Sequence, residues 1–333
     1  MTRALRLIVV GGVVFGPMVV ATAAARPGPP VPAAPSPAAP ALVAALSTHG
    51  IVAIAESRHA IRQAHDFYFA LIRDPAFQRA VNDVVIEFAS GQSQPLLDRY
   101  ILEGDSVAPD ELASIWRNTT KAAAWEAPGY ARWLAAMREV NRALPKERRI
   151  RVLAGDTPVD WARLTSPADW AALGDNNVTF ARVMEESVLA RGRKALVILG
   201  SNHLTRGGDR NGGPNTTTRV EARFPGSLYV VYLYSGRPGG ESADARFVSD
   251  RWTAPAVAPL RGTWVGALGG EPRPLESMSD AILFVGPSKD LEIEEAPVSS
   301  FDPAYVAELD RRSAIEWGDA TRARRFLGLP PKP

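Results

Sequence analysis

The chain has 333 residues, 46% of them apolar and 22% charged, with a formal net charge of +2 and no cysteine. That length suits one large α/β domain or two small ones, and a near-balance of charge without a Lys/Arg run or an aromatic–basic platform argues against nucleic acid as a partner. The lack of cysteine excludes disulfides, thiolate metal sites, a cysteine nucleophile and a bacterial lipid anchor.

Residues 1–25 have the order of a secretory signal: Arg3 and Arg6, an apolar run over 7–20, then the small residues Ala21-Thr22-Ala23-Ala24-Ala25. Gly11, Gly12, Gly16 and Pro17 interrupt the run, which favours a cleaved leader over a permanent anchor. Residues 26–40 (RPGPPVPAAPSPAAP) read as an extended, unpacked Pro/Ala linker. The expected location is therefore the periplasm or the exterior, with a single domain over 41–333.

The first strand pattern is Ile51–Ala55, stopping at Glu56-Ser57-Arg58-His59, with an amphipathic helix expected at once over 60–72. Asp83–Phe88 is a second buried-strand pattern and ends on Glu87. Residues 92–145 hold no good strand but three helical stretches, 95–100, 110–116 and 130–144, and read as a helical insertion. Further strands are expected at 150–154, 195–199, 228–232 and 281–285, with helices at 176–191, 218–224, 303–309 and 315–327. This alternation predicts an α/β fold: a mostly parallel sheet flanked by helices, with a helical insertion after the second strand.

Glu56, His59, Glu87, Asp156 and His203 all fall at or just beyond predicted strand ends, and the chain has only four histidines. Parallel strands end on one edge of a sheet, where ligands bind, so these residues are expected to converge on one cleft. Two chemistries fit them. In one, a histidine oriented by a carboxylate activates water while the second histidine or an arginine stabilises the oxyanion. In the other, Glu56, His59, Glu87 and His203 bind a divalent metal that acidifies a bound water. The first needs no cofactor.

His59 is the expected general base, because a helix start beside it would favour neutral imidazole. Asp156, Arg58, Arg151 and Asn202 are expected to contact substrate. Ser57 lacks a Gly-x-Ser-x-Gly setting, and the Gly-rich loop over 207–215 lacks Gly-Lys-Ser/Thr. His49 and His65 are read as structural. Trp116, Trp125, Tyr130 and Trp133 either pack the insertion onto the sheet or form an apolar lid over a bulky substrate.

At these residues the chain resembles the erythromycin esterase-like superfamily, which includes ChaN-like haem-uptake proteins and Tiki-type proteases. Ala55-Glu56-Ser57-Arg58-His59 is similar to the family's strand followed by Gly-Glu-x-x-His, with alanine in place of glycine. Val84-Val85-Ile86-Glu87 matches its strand ending in glutamate, and Gly200-Ser201-Asn202-His203 its late Gly-x-x-His. Arg99-Tyr100-Ile101, Trp116-Arg117 and the run from Arg151 to Asp156 also look like that group, over roughly residues 50–290. The resemblance implies an α/β fold with two histidines and two glutamates in a cleft, and water-mediated ester hydrolysis in the esterase branch. No residue carries over the haem site of the ChaN branch. The expected function is hydrolysis of a small-molecule ester or related acyl bond. The alternatives are a binding or uptake protein without catalysis and a metal-dependent peptidase. Substrate identity and oligomeric state stay open.

Overall fold

The aliphatic runs become strands because an unbroken apolar stretch of five or six residues can be buried on both faces of a parallel sheet. The computed structural model describes residues 31–209, 211–270 and 273–331, so the proposed leader lies outside the described residues. Its strands are β1 (Ser36–Pro37), β2 (Ile51–Glu56), β3 (Asp83–Ser90), β4 (Arg151–Asp156), β5 (Ala195–Gly200), β6 (Leu228–Leu233), β7 (Ala256–Pro259) and β8 (Ala281–Phe284). They form one sheet in the order β1-β7-β8-β6-β2-β5-β3-β4. Every neighbour pair from β8 to β4 is parallel, and only β7 and β1 are added antiparallel. The fold is thus α/β with a mostly parallel sheet flanked by helices, and the helical insertion lies between β3 and β4.

Side chains alternate across the sheet as a two-residue period requires. Val52, Ile54, Val84, Ile86, Leu196 and Ile198 pack on one side, with the helix Arg62–Arg73 and the insertion helix Pro128–Ala143. Ala53, Val85, Val197 and Leu199 pack on the other, with Phe180, Met184 and Val220. Since β2 lies at the centre and its parallel neighbours end beside it, Glu56, Asp156 and Gly200 reach the same edge.

Several local expectations differ from the structure. The first helix begins at Ala38, before the expected domain start, and β1 pairs Ser36 with Val257, so the end of the Pro/Ala stretch is packed rather than free. Apolar burial of Ala38 and Leu42 supplies the reason. Strand β7 was not expected, because four residues ending in proline carry little strand signal. The helix expected over 176–191 keeps α geometry only to Arg182 and continues as a π turn over Val183–Val188. The two expected C-terminal helices meet differently: one helix spans Pro303–Trp317. Its polar middle is tolerated because Asp310 and Arg312 are buried with partners, Arg324 and Glu308.

Candidate functional site

The turn after β2 makes the first couple. Glu56 closes the strand almost fully buried, and its Oε2 lies 2.8 Å from His59 Nδ1. The Tyr68 hydroxyl, one helix turn and a half further on, donates to Glu56 Oε1 at 2.9 Å. The helix starts at Arg62 rather than beside His59, and Ala60 turns the chain with φ of +58°. His59 therefore has no helix N-terminus acting on it. Burial disfavours its charged form, but the Glu56 hydrogen bond and the nearby Glu87 charge outweigh this and lift the imidazole to about 9. This environment favours the charged, hydrogen-donating form of His59, which weighs against the general-base role expected of it.

The second couple comes from β3 and the turn after β5. Between Ile86 and Ser90 the β3–β4 register slips, a bulge of the sort that re-aims a side chain at a sheet rim. Glu87 sits in it, with Oε2 accepting from Gly200 N–H at 2.6 Å and Oε1 lying 3.5 Å from His203 Nε2. Burial favours neutral Glu87, yet His203, His59 and the Gly200 N–H overcome it and hold the carboxyl down at about 2. His203 Nδ1 lies 2.8 Å from Asn177 Oδ1, and Phe180 packs edge-on against the ring at 4.9 Å.

Gly200 is where the couples meet. A Cβ there would lie 3.2 Å from His59 Nε2 and 3.5 Å from Glu87 Oε2, so a bare backbone lets the groups crowd together. Outside them is a cleft of about 630 Å³ whose lining includes Arg58, His59, Ala123, Ala127, Ile293 and Phe326. Of the expected site residues, His59 and Arg58 line this cleft, and Arg58 has no ion pair among the described residues. Glu56 and Glu87 line instead a small void of about 10 Å³, closed by Phe88, Trp125, Tyr130 and Trp133. The single shared cleft is thus divided: one histidine faces outward and the acids stand behind it.

The other expected residues have other surroundings. Asp156 is turned into a polar knot, accepting from Thr120 N–H at 2.5 Å, Thr120 Oγ1 at 2.7 Å and Asn176 Nδ2 at 2.9 Å. Burial raises its carboxyl to about 7 against those donors. It ties the insertion to β4 rather than offering oxygens to a substrate. Arg151 begins β4, at the opposite sheet edge from the couples, and forms a two-pronged pair with Asp98 at 3.0 and 2.7 Å. Its expected contact with substrate is corrected by strand direction. Asn202 lies in the turn helix Ser201–Leu204, where its carbonyl accepts from Asn215 at 3.3 Å.

Ser57 donates to the Leu233 carbonyl at 2.5 Å, and buried His65 pairs with Glu294 at 2.9 Å. Trp125 (4.7 Å from the His59 ring), Tyr130 and Trp133 are buried against Phe88, which makes them packing of the insertion and a wall of the site. Tyr68 and Asn177 escaped sequence reasoning. Tyr68 lies in the middle of one helix and Asn177 in the first turn of another, and only tertiary contact gives each its partner in the site.

Among the described residues no group of three or more His, Asp or Glu side chains is arranged to hold a metal ion. The donors are spent in pairs: Glu56 on His59 and Tyr68, Glu87 on Gly200 and His203, and His203 Nδ1 on Asn177. The divalent-metal expectation does not fit this arrangement.

No protein-family model matches the sequence, and no curated protein matches it. Among solved structures, the chain is similar to a Bacillus cereus protein at 10% identity and a TM-score of 0.52, covering 77% of this chain and 92% of that one. The likeness is one of fold. Similarity extends to ChaN of Campylobacter jejuni, described with cofacial haem binding, at 12% identity and a TM-score of 0.41, covering 73% and 90%. It extends also to the type III effector HopBA1, at 14% identity and a TM-score of 0.41, covering 78% and 99%. Neither the erythromycin esterase branch nor the Tiki branch is assigned by these similarities.

Proposed function

We propose that the chain is a hydrolase of ester or related acyl bonds, in which the Glu87–His203 couple activates water and His59 stabilises developing negative charge. One observation carries the reading: two Glu–His couples, at 2.8 and 3.5 Å, meet across Gly200 behind a cleft of about 630 Å³. In the proposed reaction, neutral His203 takes a proton from water at Nε2 as the oxygen attacks the acyl carbon. Glu87 holds the imidazolium that forms. His59, whose Nδ1–H is engaged by Glu56, offers Nε2–H to the oxyanion. Collapse breaks the acyl–oxygen bond, and His203 returns its proton to the leaving alcohol.

A screen of p-nitrophenyl acyl esters with wild type, His59→Ala and His203→Ala tests this reading. Turnover that falls in both variants supports it. Saturable ligand binding by a wild type that turns over none of the esters would make the chain a binding protein instead. The export reading rests on the basic–apolar–small order of the first 25 residues. N-terminal sequencing of protein recovered outside the cytoplasm checks it, and a retained Met1 in the membrane fraction would indicate an anchor.

A further inference from the structure

We infer that Asn177 is a positioning residue that commits His203 to the tautomer with hydrogen on Nδ1, leaving Nε2 as the nitrogen able to accept a proton. The inference deepens the hydrolase reading and rests on it for its consequence, but the tautomer belongs to the resting protein.

Asn177 opens the helix Asn176–Arg182 and is 4% exposed. Its Oδ1 faces the Thr216 backbone N–H at 3.1 Å and the Thr216 hydroxyl at 3.0 Å. A backbone N–H can only donate, so the carboxamide atom before it is the oxygen. The other end of the amide agrees, since Nδ2 donates to Asp175 Oδ1 at 2.8 Å. With the amide held from both ends, the 2.8 Å contact to His203 Nδ1 has an acceptor on the asparagine side, and the ring nitrogen must donate. Nε2 is then directed at Glu87 Oε1, 3.5 Å away, with Phe180 against the ring.

Each neutral tautomer leaves one ring lone pair facing an acceptor. The Nδ1–H form turns Nε2 toward Glu87 Oε1 at 3.5 Å, whereas the opposite form would turn Nδ1 toward Asn177 Oδ1 at 2.8 Å, the closer and costlier mismatch in a buried setting. The opposite form would also put hydrogen on Nε2, where the neutral ring could no longer take a proton from water. Three separate segments, carrying Asn177, His203 and Thr216, meet to make this choice.

Long-range ¹⁵N–¹H imidazole spectra read the tautomer directly. Among four histidines, His203 is assigned by the signal lost in His203→Gln. The neutral ring of wild type is expected to carry hydrogen on Nδ1. Asn177→Ala should lose that preference, and Asn177→Asp, which keeps an acceptor, should retain it. On an ester turned over by wild type, Asn177→Ala should lower kcat toward the 10²–10⁴-fold typical of a lost general base, with KM little changed and partial recovery in Asn177→Asp. A wild-type His203 with hydrogen on Nε2, or an Asn177→Ala protein that keeps the Nδ1–H form, overturns the inference. The wild-type spectrum is decisive alone, so a variant that fails to fold does not remove the test. Absent ester turnover with a correct tautomer would strike the hydrolase reading and leave the geometry of Asn177 standing.

Discussion

Replacing Glu56 with glutamine should move His59 from a cation to a titrating group. The carboxylate accepts from His59 Nδ1 at 2.8 Å, and with Glu87 it raises the imidazole from 6.5 to about 9. Removing one opposite charge at contact distance should lower the His59 midpoint by about one to two pH units, with the Glu87 charge holding the remainder. The full rise of about 2.5 pH units corresponds to roughly 3 kcal/mol. Because the His59 side chain is 35% exposed and water screens the pair, about 1–2 kcal/mol is the stability we assign to it. The sign follows from proton binding: the folded state holds this proton more tightly than the unfolded chain. The contribution is therefore complete below pH 6.5 and is lost as pH rises through 9. An NMR titration of the His59 ring and urea unfolding at pH 6 and pH 10 measure the two quantities. Glu56→Gln should lower the midpoint and flatten the loss of stability between those pH values. A wild-type His59 that titrates near 6.5, or a midpoint unchanged by the substitution, refutes the reasoning.

His59→Ala should cut ester turnover by about 10²–10³-fold and remove the alkaline limb near pH 9 from the rate profile, whereas His203→Ala should lower turnover and keep that limb. Gly200→Ala puts a Cβ 3.2 Å from His59 Nε2, so turnover should fall and both histidine ring signals should shift while thermal unfolding changes little. Asp156 holds its proton up to about 7, so the folded state loses stability relative to the unfolded chain as pH rises from 4 to 7. Denaturation of Asp156→Asn at several pH values should show that part of the slope missing. Asp98→Ala, which frees the partly exposed Arg151, should cost about 1 kcal/mol in unfolding and leave turnover unchanged, since the pair stands at the far sheet edge.

Much of the architecture was legible because it rests on short-range rules. Runs such as Ile51–Ala55 and Ala195–Leu199 are apolar at every position, and only a strand covered on both faces accommodates that. The polar residues that end them, Glu56 and the run from Ser201 to His203, follow from the same rule, since the chain must leave the core there. Strand β7 and the continuous helix Pro303–Trp317 were not legible, because one is only four residues long and ends in proline and the other hides paired charges in its middle. Arg151 illustrates a different failure. Its presence in a strand was read correctly, but which end of the strand it occupies matters more than the strand itself.

By itself the sequence determined which residues close the strands and, through strand alternation, that the sheet is mainly parallel. Both depend on contacts within a few residues and on the need to bury apolar side chains. Tertiary structure alone decided what each ionisable group is. The proton on His59 depends on Glu56 three residues away and also on Glu87 from another strand. The free nitrogen of His203 depends on an amide held by Thr216, 39 residues from Asn177. Charge and hydrogen bonding act across space in a buried setting of low dielectric, so a group's chemistry is set by whichever chain segments the fold brings beside it.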